Sequence, residues 1–316
     1  MIHCIEANLA GKTAVVTGAN TGIGKEVARD LARLNARVLL VCRNEERGQA
    51  ALDEIVADTG NHKTELRIVD VSSRAAVRVF GAELRKSEPE LHILVNNAGV
   101  WLEERRESVD GIELTWATNV LGMHQMTREL LPLLEAGGRP GAEARIVNVA
   151  SDVAGGLDLR DVELRHRGFD GLLAYKQSKA ADRILTWALA RRLVGKLVTA
   201  NAMHPGRVVT EIACREKGIK HFTANAVRKL FGRPPAEGAD TVTWLAASPQ
   251  VEGASGRYCT DREVRECRFR DRETEDALWS LCDAMSGAPS EGCSALSGAA
   301  QSTSSTTLPK PSLVAM

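Results

Sequence analysis

The chain has 316 residues, 41 basic and 41 acidic side chains, and a hydrophobic fraction of 44%. Balanced charge removes the electrostatic case for nucleic-acid binding, which needs a basic excess or a basic face, and no apolar run approaches the roughly 20 residues that cross a bilayer. A core of about 250 residues with appendages fits this length better than two domains do. The opening MIHCIEANLAGKT lacks both a basic start and a long apolar run, so it does not read as a signal peptide, and a cytoplasmic protein is expected. Thr13–Thr17 then reads as a buried strand, followed at once by Thr17-Gly18-Ala19-Asn20-Thr21-Gly22-Ile23-Gly24 and a helical stretch, Lys25–Leu34. Glycines between a strand and a helix let the backbone approach a pyrophosphate, and the helix N-terminus offers free N–H groups to it.

Val38–Val41 is the second strand, and Arg43 stands just past its end, with Arg47 a turn later in the helical stretch Glu45–Ala57. A dinucleotide fold that prefers NAD usually places a carboxylate here for the ribose hydroxyls. A guanidinium instead suits a 2′-phosphate through charge-assisted hydrogen bonds. NADP is therefore the expected cofactor, with NAD less favoured; a solvated arginine at a strand end is the plain alternative. Leu66–Asp70 and His92–Val95 are two more strands, ending at Asp70 and at Asn96-Asn97-Ala98-Gly99. Asp70 would accept from an adenine amino group, and the small residues would let the backbone pass a cofactor closely.

Asn119 falls inside a long helical segment, Ala117-Thr118-Asn119-Val120-Leu121-Gly122, where asparagine is a mediocre helix former; a kink or a bound water would explain it. Arg145–Val149 is the fifth strand, and Ser151 follows it, placed to hydrogen-bond a substrate oxygen or simply to make a turn. Tyr175 and Lys179 are four apart, so a helix sets them on one face. A phenol near its ordinary pKa of about 10 exchanges protons poorly at neutral pH, and a neighbouring ammonium favours the phenolate. The chain has only two tyrosines, which makes this placement harder to attribute to chance. Val198–Met203 and Gly256–Thr260 complete a set of about seven strands, with His204-Pro205-Gly206 stopping the sixth. Strands alternating with helices imply a single α/β domain: a Rossmann-type, doubly wound parallel sheet with helices on both faces.

Seven scattered cysteines without a CxxC pair suit neither a zinc site nor a disulfide framework, so reduced thiols and no metal are expected. The domain is expected over residues 1–285. Residues 286–316 are rich in Ser, Ala, Gly, Thr and Pro and read as a disordered tail. The segment between Arg207 and Pro235 mixes Ile212, Ile219, Phe222, Leu230 and Phe231 with basic residues, which suits a lipophilic substrate under a mobile flap. Amphipathic stretches such as Ile184–Val194 would either pair subunits, giving a homodimer or homotetramer, or face the sheet.

Taken in order, TGANTGIG, NNAG, the asparagine of ATNVLG, the serine of NVAS, YKQSK and HPGRVVT resemble the classical short-chain dehydrogenases/reductases over roughly residues 8–285. VCRN, HPGRVVTE and the long Ser151–Tyr175 interval are similar to the retinol-dehydrogenase-like branch, and GADTVTWLAAS with SGRYCTDRE to its family-member-12 type. The resemblance implies a tetrad, in which Tyr175 is the acid/base, Lys179 supports it and holds the ribose, Ser151 orients the carbonyl and Asn119 anchors a relay water. It implies cofactor contacts at Gly18, Asn20, Thr21, Gly22, Ile23, Gly24, Arg43, Asp70, Val71, Asn97, Ala98, Gly99, Tyr175, Lys179, Pro205, Gly206, Val208 and Thr210. Ala150 departs from the serine that often precedes the catalytic one, and the N-terminal anchor common in retinoid enzymes is not recognisable. The expected activity is hydride transfer between nicotinamide and a carbonyl or alcohol. A non-catalytic NADP(H) sensor on the same fold is the main alternative, and a sugar-nucleotide epimerase is disfavoured because its glycines usually follow GxxGxxG.

Overall fold

The computed structural model describes residues 5–206 and 233–287. Eight strands form one sheet: β1 (Thr13–Thr17), β2 (Arg37–Cys42), β3 (Glu65–Ile68), β4 (Ile93–Asn96), β5 (Ala144–Val149), β6 (Val198–Met203), β7 (Tyr258–Thr260) and β8 (Glu263–Val264). Their spatial order is β3-β2-β1-β4-β5-β6-β7-β8, parallel except for β8 at the edge. β1 is the hub, pairing Val15 with Leu39 of β2 and with Leu94 of β4. The direction of winding reverses between β1 and β4, and such a switch point opens a crevice at the carboxyl ends of the strands.

The helices are α1 (Gly22–Arg33), α2 (Glu45–Thr59), α3 (Arg74–Ser87), α4 (Leu114–Trp116), α5 (Gly122–Gly137), α6 (Gly171–Arg192), α7 (Pro235–Ala247) and α8 (Arg272–Ser286). Successive strand side chains point to opposite faces, and the core divides accordingly. Val15, Leu39, Leu94 and Ile146 meet α3, α5, α6 and α8, while Ala14, Val16, Leu40, Val95 and Val147 meet α1, α2 and α7. With both faces covered, the central strands are apolar throughout rather than alternating, as the sequence runs suggested. Most of the Ile184–Val194 stretch faces its own domain: Ile184, Leu185, Trp187, Ala188, Leu189 and Leu193 are buried and α6 packs on β6 and α8, while Val194 is exposed.

β8 goes beyond the seven expected strands. Two exposed residues are too short a run to carry a period-2 signal. Helix α8 closes the described chain and is tied down by charge. Asp283 bonds His124 Nε2 at 2.7 Å and Arg128 at 2.7 and 2.8 Å, on α5. Among the described cysteines, Cys42, Cys259 and Cys282 are buried, and burial pushes the Cys42 and Cys259 thiols up to about 11. No helix among the described residues is long and apolar enough to cross a membrane. All but two residues of the expected tail, 288–316, lie outside the described residues.

Candidate active site

The carboxyl ends of β1 to β4 enclose a cleft of about 350 Å³. Its lining includes eleven residues singled out from the sequence: Gly18, Asn20, Thr21, Gly22, Ile23, Arg43, Asp70, Val71, Asn97, Ala98 and Gly99. The floor is stitched by two side chains that bond to backbone, Thr17 and Asn97. Thr17 Oγ1 accepts the N–H groups of Asn97 and Ala98, each at 3.0 Å, and Asn97 Nδ2 donates to the Thr17 carbonyl at 2.9 Å. Thr17 carries this junction; in the sequence it closes the strand and opens the glycine motif, and nothing there shows that its hydroxyl ties β1 to β4.

Two glycines have separate reasons to be glycine. Gly18 has φ +66°, and a Cβ there would lie 2.9 Å from the Cα of Ala98. Gly24 sits just inside α1, where a Cβ would stand 2.5 Å from the Gly18 carbonyl oxygen and closer still to Asn97 Nδ2. Its role is to let the β1 and β4 loops close on each other. It does not line the cleft.

At the rim, Arg43 is exposed and makes no ion pair among the described residues. Asn44 and Arg47 stand beside it in the lining, and Asn44 also caps α2 by accepting from the Arg47 N–H at 2.8 Å. Asp70 Oδ1 is held by the Ser72 N–H and hydroxyl at 3.0 and 2.7 Å, which fixes the carboxylate at the end of β3.

Tyr175 and Lys179, expected among the cofactor contacts, do not themselves line the cleft but adjoin two residues that do, Trp101 and Gly99. The Tyr175 ring stacks on Trp101, a lining residue, with centroids 5.1 Å apart and planes 17° from parallel. Lys179 Nζ lies 5.9 Å from the centre of the Tyr175 ring, and a Cβ on Gly99 would come within 3.8 Å of that nitrogen. Trp101, Leu102 and Thr118 were not singled out in the sequence; a lone tryptophan in a loop carries no periodic signal.

Asn119 lies in a π-helical turn, Ala117–Leu121, between α4 and α5, so the segment is distorted where asparagine made a regular helix doubtful. Its Oδ1 accepts the Val100 N–H at 2.8 Å, and its Nδ2 donates to the Val100 carbonyl at 3.1 Å and the Ser178 hydroxyl at 2.9 Å. Ser178 in turn donates to the Tyr175 carbonyl at 2.8 Å. Both amide donors are thus used on protein, and the side chain joins the loop after β4 to the helix carrying Tyr175. Ser151 follows β5, with its hydroxyl accepting the Val153 N–H at 3.1 Å. The Ser151 carbonyl receives the Tyr258 hydroxyl at 3.3 Å and the Arg183 guanidinium.

Pro205 and Gly206 end β6 and do not line the cleft; Val208 and Thr210 lie outside the described residues. A larger cavity, about 760 Å³, opens between α6 and β7, lined by Asp152, Arg183, Tyr258 and Arg268 among others. None of the expected site residues lines it. The smaller cleft is the candidate site because its walls are the loops at the switch point and two of its lining residues, Trp101 and Gly99, adjoin Tyr175 and Lys179.

A family model described as short chain dehydrogenase matches residues 12–218. Mouse polyprenol dehydrogenase is 37% identical over 284 residues, covering 88% of this chain and 84% of the relative. Mouse retinol dehydrogenase 12 is 37% identical over 277 residues, 86% of this chain and 85% of the relative. Among solved structures, the Pseudomonas aeruginosa RhlG/NADP active-site complex superposes with a TM-score of 0.64 at 29% identity, covering 79% of this chain and 94% of that one.

Proposed function

The chain belongs to the short chain dehydrogenase family, in its retinol-dehydrogenase-like branch, and on that premise we propose that it moves a hydride between NADP(H) and a lipophilic carbonyl or alcohol, with Tyr175 as acid/base. Membership makes it an NAD(P)-dependent alcohol/carbonyl oxidoreductase; the phosphate on the cofactor, the kind of substrate and the tyrosine's role are what is proposed. The observation that carries the reading is the stack of Tyr175 on Trp101, a lining residue of the cleft, with Lys179 beside the ring.

The cleft suits a dinucleotide. Its glycine turn runs into the N-terminus of α1, where backbone N–H groups and the helix dipole favour a pyrophosphate. Arg43, exposed and without an ion-pair partner among the described residues, is available to a 2′-phosphate. When bound, the cofactor supplies or accepts the hydride at its nicotinamide ring. In reduction the Tyr175 hydroxyl gives a proton to the carbonyl oxygen; in oxidation its phenolate takes the proton of the alcohol. Ser151 donates to the same oxygen as charge develops on it. Trp101 covers one face of the tyrosine ring and keeps water from it.

A lipophilic substrate is supported by the amino-acid content of the 207–235 segment, of which residues 207–232 lie outside the described residues, and by relatives named for polyprenol and retinol. Two measurements test the reading. Purified protein is offered a panel of carbonyls with NADPH and of alcohols with NADP+, followed by cofactor absorbance; turnover of an apolar member is expected, and NADPH binding with no turnover on any member would indicate a sensor. Arg43→Ala is then compared on both cofactors. Loss of a charge-assisted contact costs about 1.5–3 kcal/mol, roughly ten- to hundredfold. That loss should appear in the Kd for NADPH and be small for NADH. Equal losses on both would contradict the 2′-phosphate assignment.

A further inference from the structure

The face of α6 that presents Tyr175 and Lys179 presents a third ionisable group, Asp182, at the i, i+4, i+7 spacing that stacks side chains along a helix. Lys179 Nζ donates to Asp182 Oδ2 at 2.8 Å and to the Val149 carbonyl at 3.0 Å. Lys179 is 5% exposed and Asp182 is 1% exposed, and among the described residues Asp182 Oδ1 has no hydrogen-bond partner. A buried carboxylate with one oxygen unpartnered is an expensive feature, and packing gives it no evident purpose.

Its surroundings define what it acts on. Lys179 and Arg183 on α6 are the cations that face it, and the Cys282 thiol faces it from α8. Burial works against the Lys179 ammonium, but the charges of Asp182 and Tyr175 outweigh burial and hold its pKa above the ordinary value. Burial pushes the Asp182 carboxyl up to about 6, against the pull of Lys179 and Arg183. Both groups are therefore ionised at neutral pH. Two of the three ammonium donors are committed to Asp182 and Val149, and the lysine's positive charge is offset on the side away from the tyrosine.

We propose that Asp182 is a positioning residue that anchors Lys179 and offsets its charge, and so sets the pH at which Tyr175 changes from proton donor to proton acceptor. This rests on the reading of Tyr175 as the acid/base. Seven helical residues separate Asp182 from Tyr175, roughly 10 Å of axis. Across that distance, in a medium of effective dielectric about 20, one unit charge is worth about one pH unit at the tyrosine.

The chain's two tyrosines make this directly measurable. In a full-length Tyr258→Phe background, ultraviolet phenolate absorbance reports Tyr175 alone, without substrate or turnover. Asp182→Asn keeps the shape and removes the charge. The expected result is that phenolate appears about one pH unit lower than in the parent, and that the rising limb of alcohol oxidation with pH moves by the same amount. Below about pH 6 Asp182 itself is protonated, so parent and variant profiles should converge there. Asp182→Ser, smaller and also neutral, should shift the same way and serves if the Asn variant does not fold. An unmoved phenolate midpoint in a folded variant, with activity lowered equally at every pH, would overturn the proposal and leave a structural role; a shift to higher pH would overturn it too. Unimpaired turnover by Tyr175→Phe would sink the acid/base reading instead, while the absorbance comparison would still report the effect of Asp182 on the phenol.

Discussion

At the cofactor end of the site two side chains hold backbone in place: Thr17 Oγ1 gathers two N–H groups, Gly18 turns at positive φ, and Gly24 lets Asn97 close on the Gly18 carbonyl. Along α6 buried side chains bond to one another, with Asn119 bonded to Ser178 and Lys179 to Asp182. The first arrangement specifies a shape, and most lining side chains there matter less than the absence of a Cβ at two points. The second specifies charge and direction, so a change of one atom type alters the chemistry with little effect on the shape. Binding and turnover should therefore come apart under mutation.

The larger separation is expected on the chemical side. Ser151→Ala removes the hydroxyl proposed to donate to the developing oxyanion, and loss of one such donor costs about a hundred- to a thousandfold in kcat. NADPH affinity, read by fluorescence titration, should stay within experimental scatter, because Ser151 does not line the cleft. A comparable loss of affinity would break the division between the two ends.

The opposite change is smaller. Gly24→Ala places a methyl group 2.5 Å from the Gly18 carbonyl oxygen, and overpacking of this kind costs about 1–3 kcal/mol. It should weaken NADPH binding by roughly five- to a hundredfold and lower Tm, with kcat at saturating cofactor largely kept. An unchanged Kd with lower kcat would mean that the glycine turn serves the chemistry, contrary to the assignment.

Much of this architecture was legible in the residues because its signals are local. The buried β-branched runs at Thr13–Thr17 and Val198–Met203 mark strands with the observed limits. Strand–glycine–helix order placed the cleft, and the four-residue spacing of Tyr175 and Lys179 placed both on α6. What was missed depends on approach across the sheet. Thr17 is a strand terminus and the opening of the glycine motif until Asn97 and Ala98 are brought against it. Trp101 has no partner until α6 delivers Tyr175. Asp182 is a different case: its partner Lys179 is only three residues away on α6, and what the sequence does not show is that both are buried. Asn119 lies between these cases: its poor fit to a helix pointed to irregularity, but the Val100 and Ser178 contacts that use it are long-range.

The central claim is that Tyr175 moves the proton while the cleft holds the cofactor independently of it. Tyr175→Phe keeps the ring and its stack on Trp101 while removing the hydroxyl proposed to carry the proton. With a substrate turned over by the parent, the account predicts a fall in kcat of about a hundred- to ten-thousandfold and an NADPH Kd close to the parent value. Retained turnover with the hydroxyl gone would contradict it.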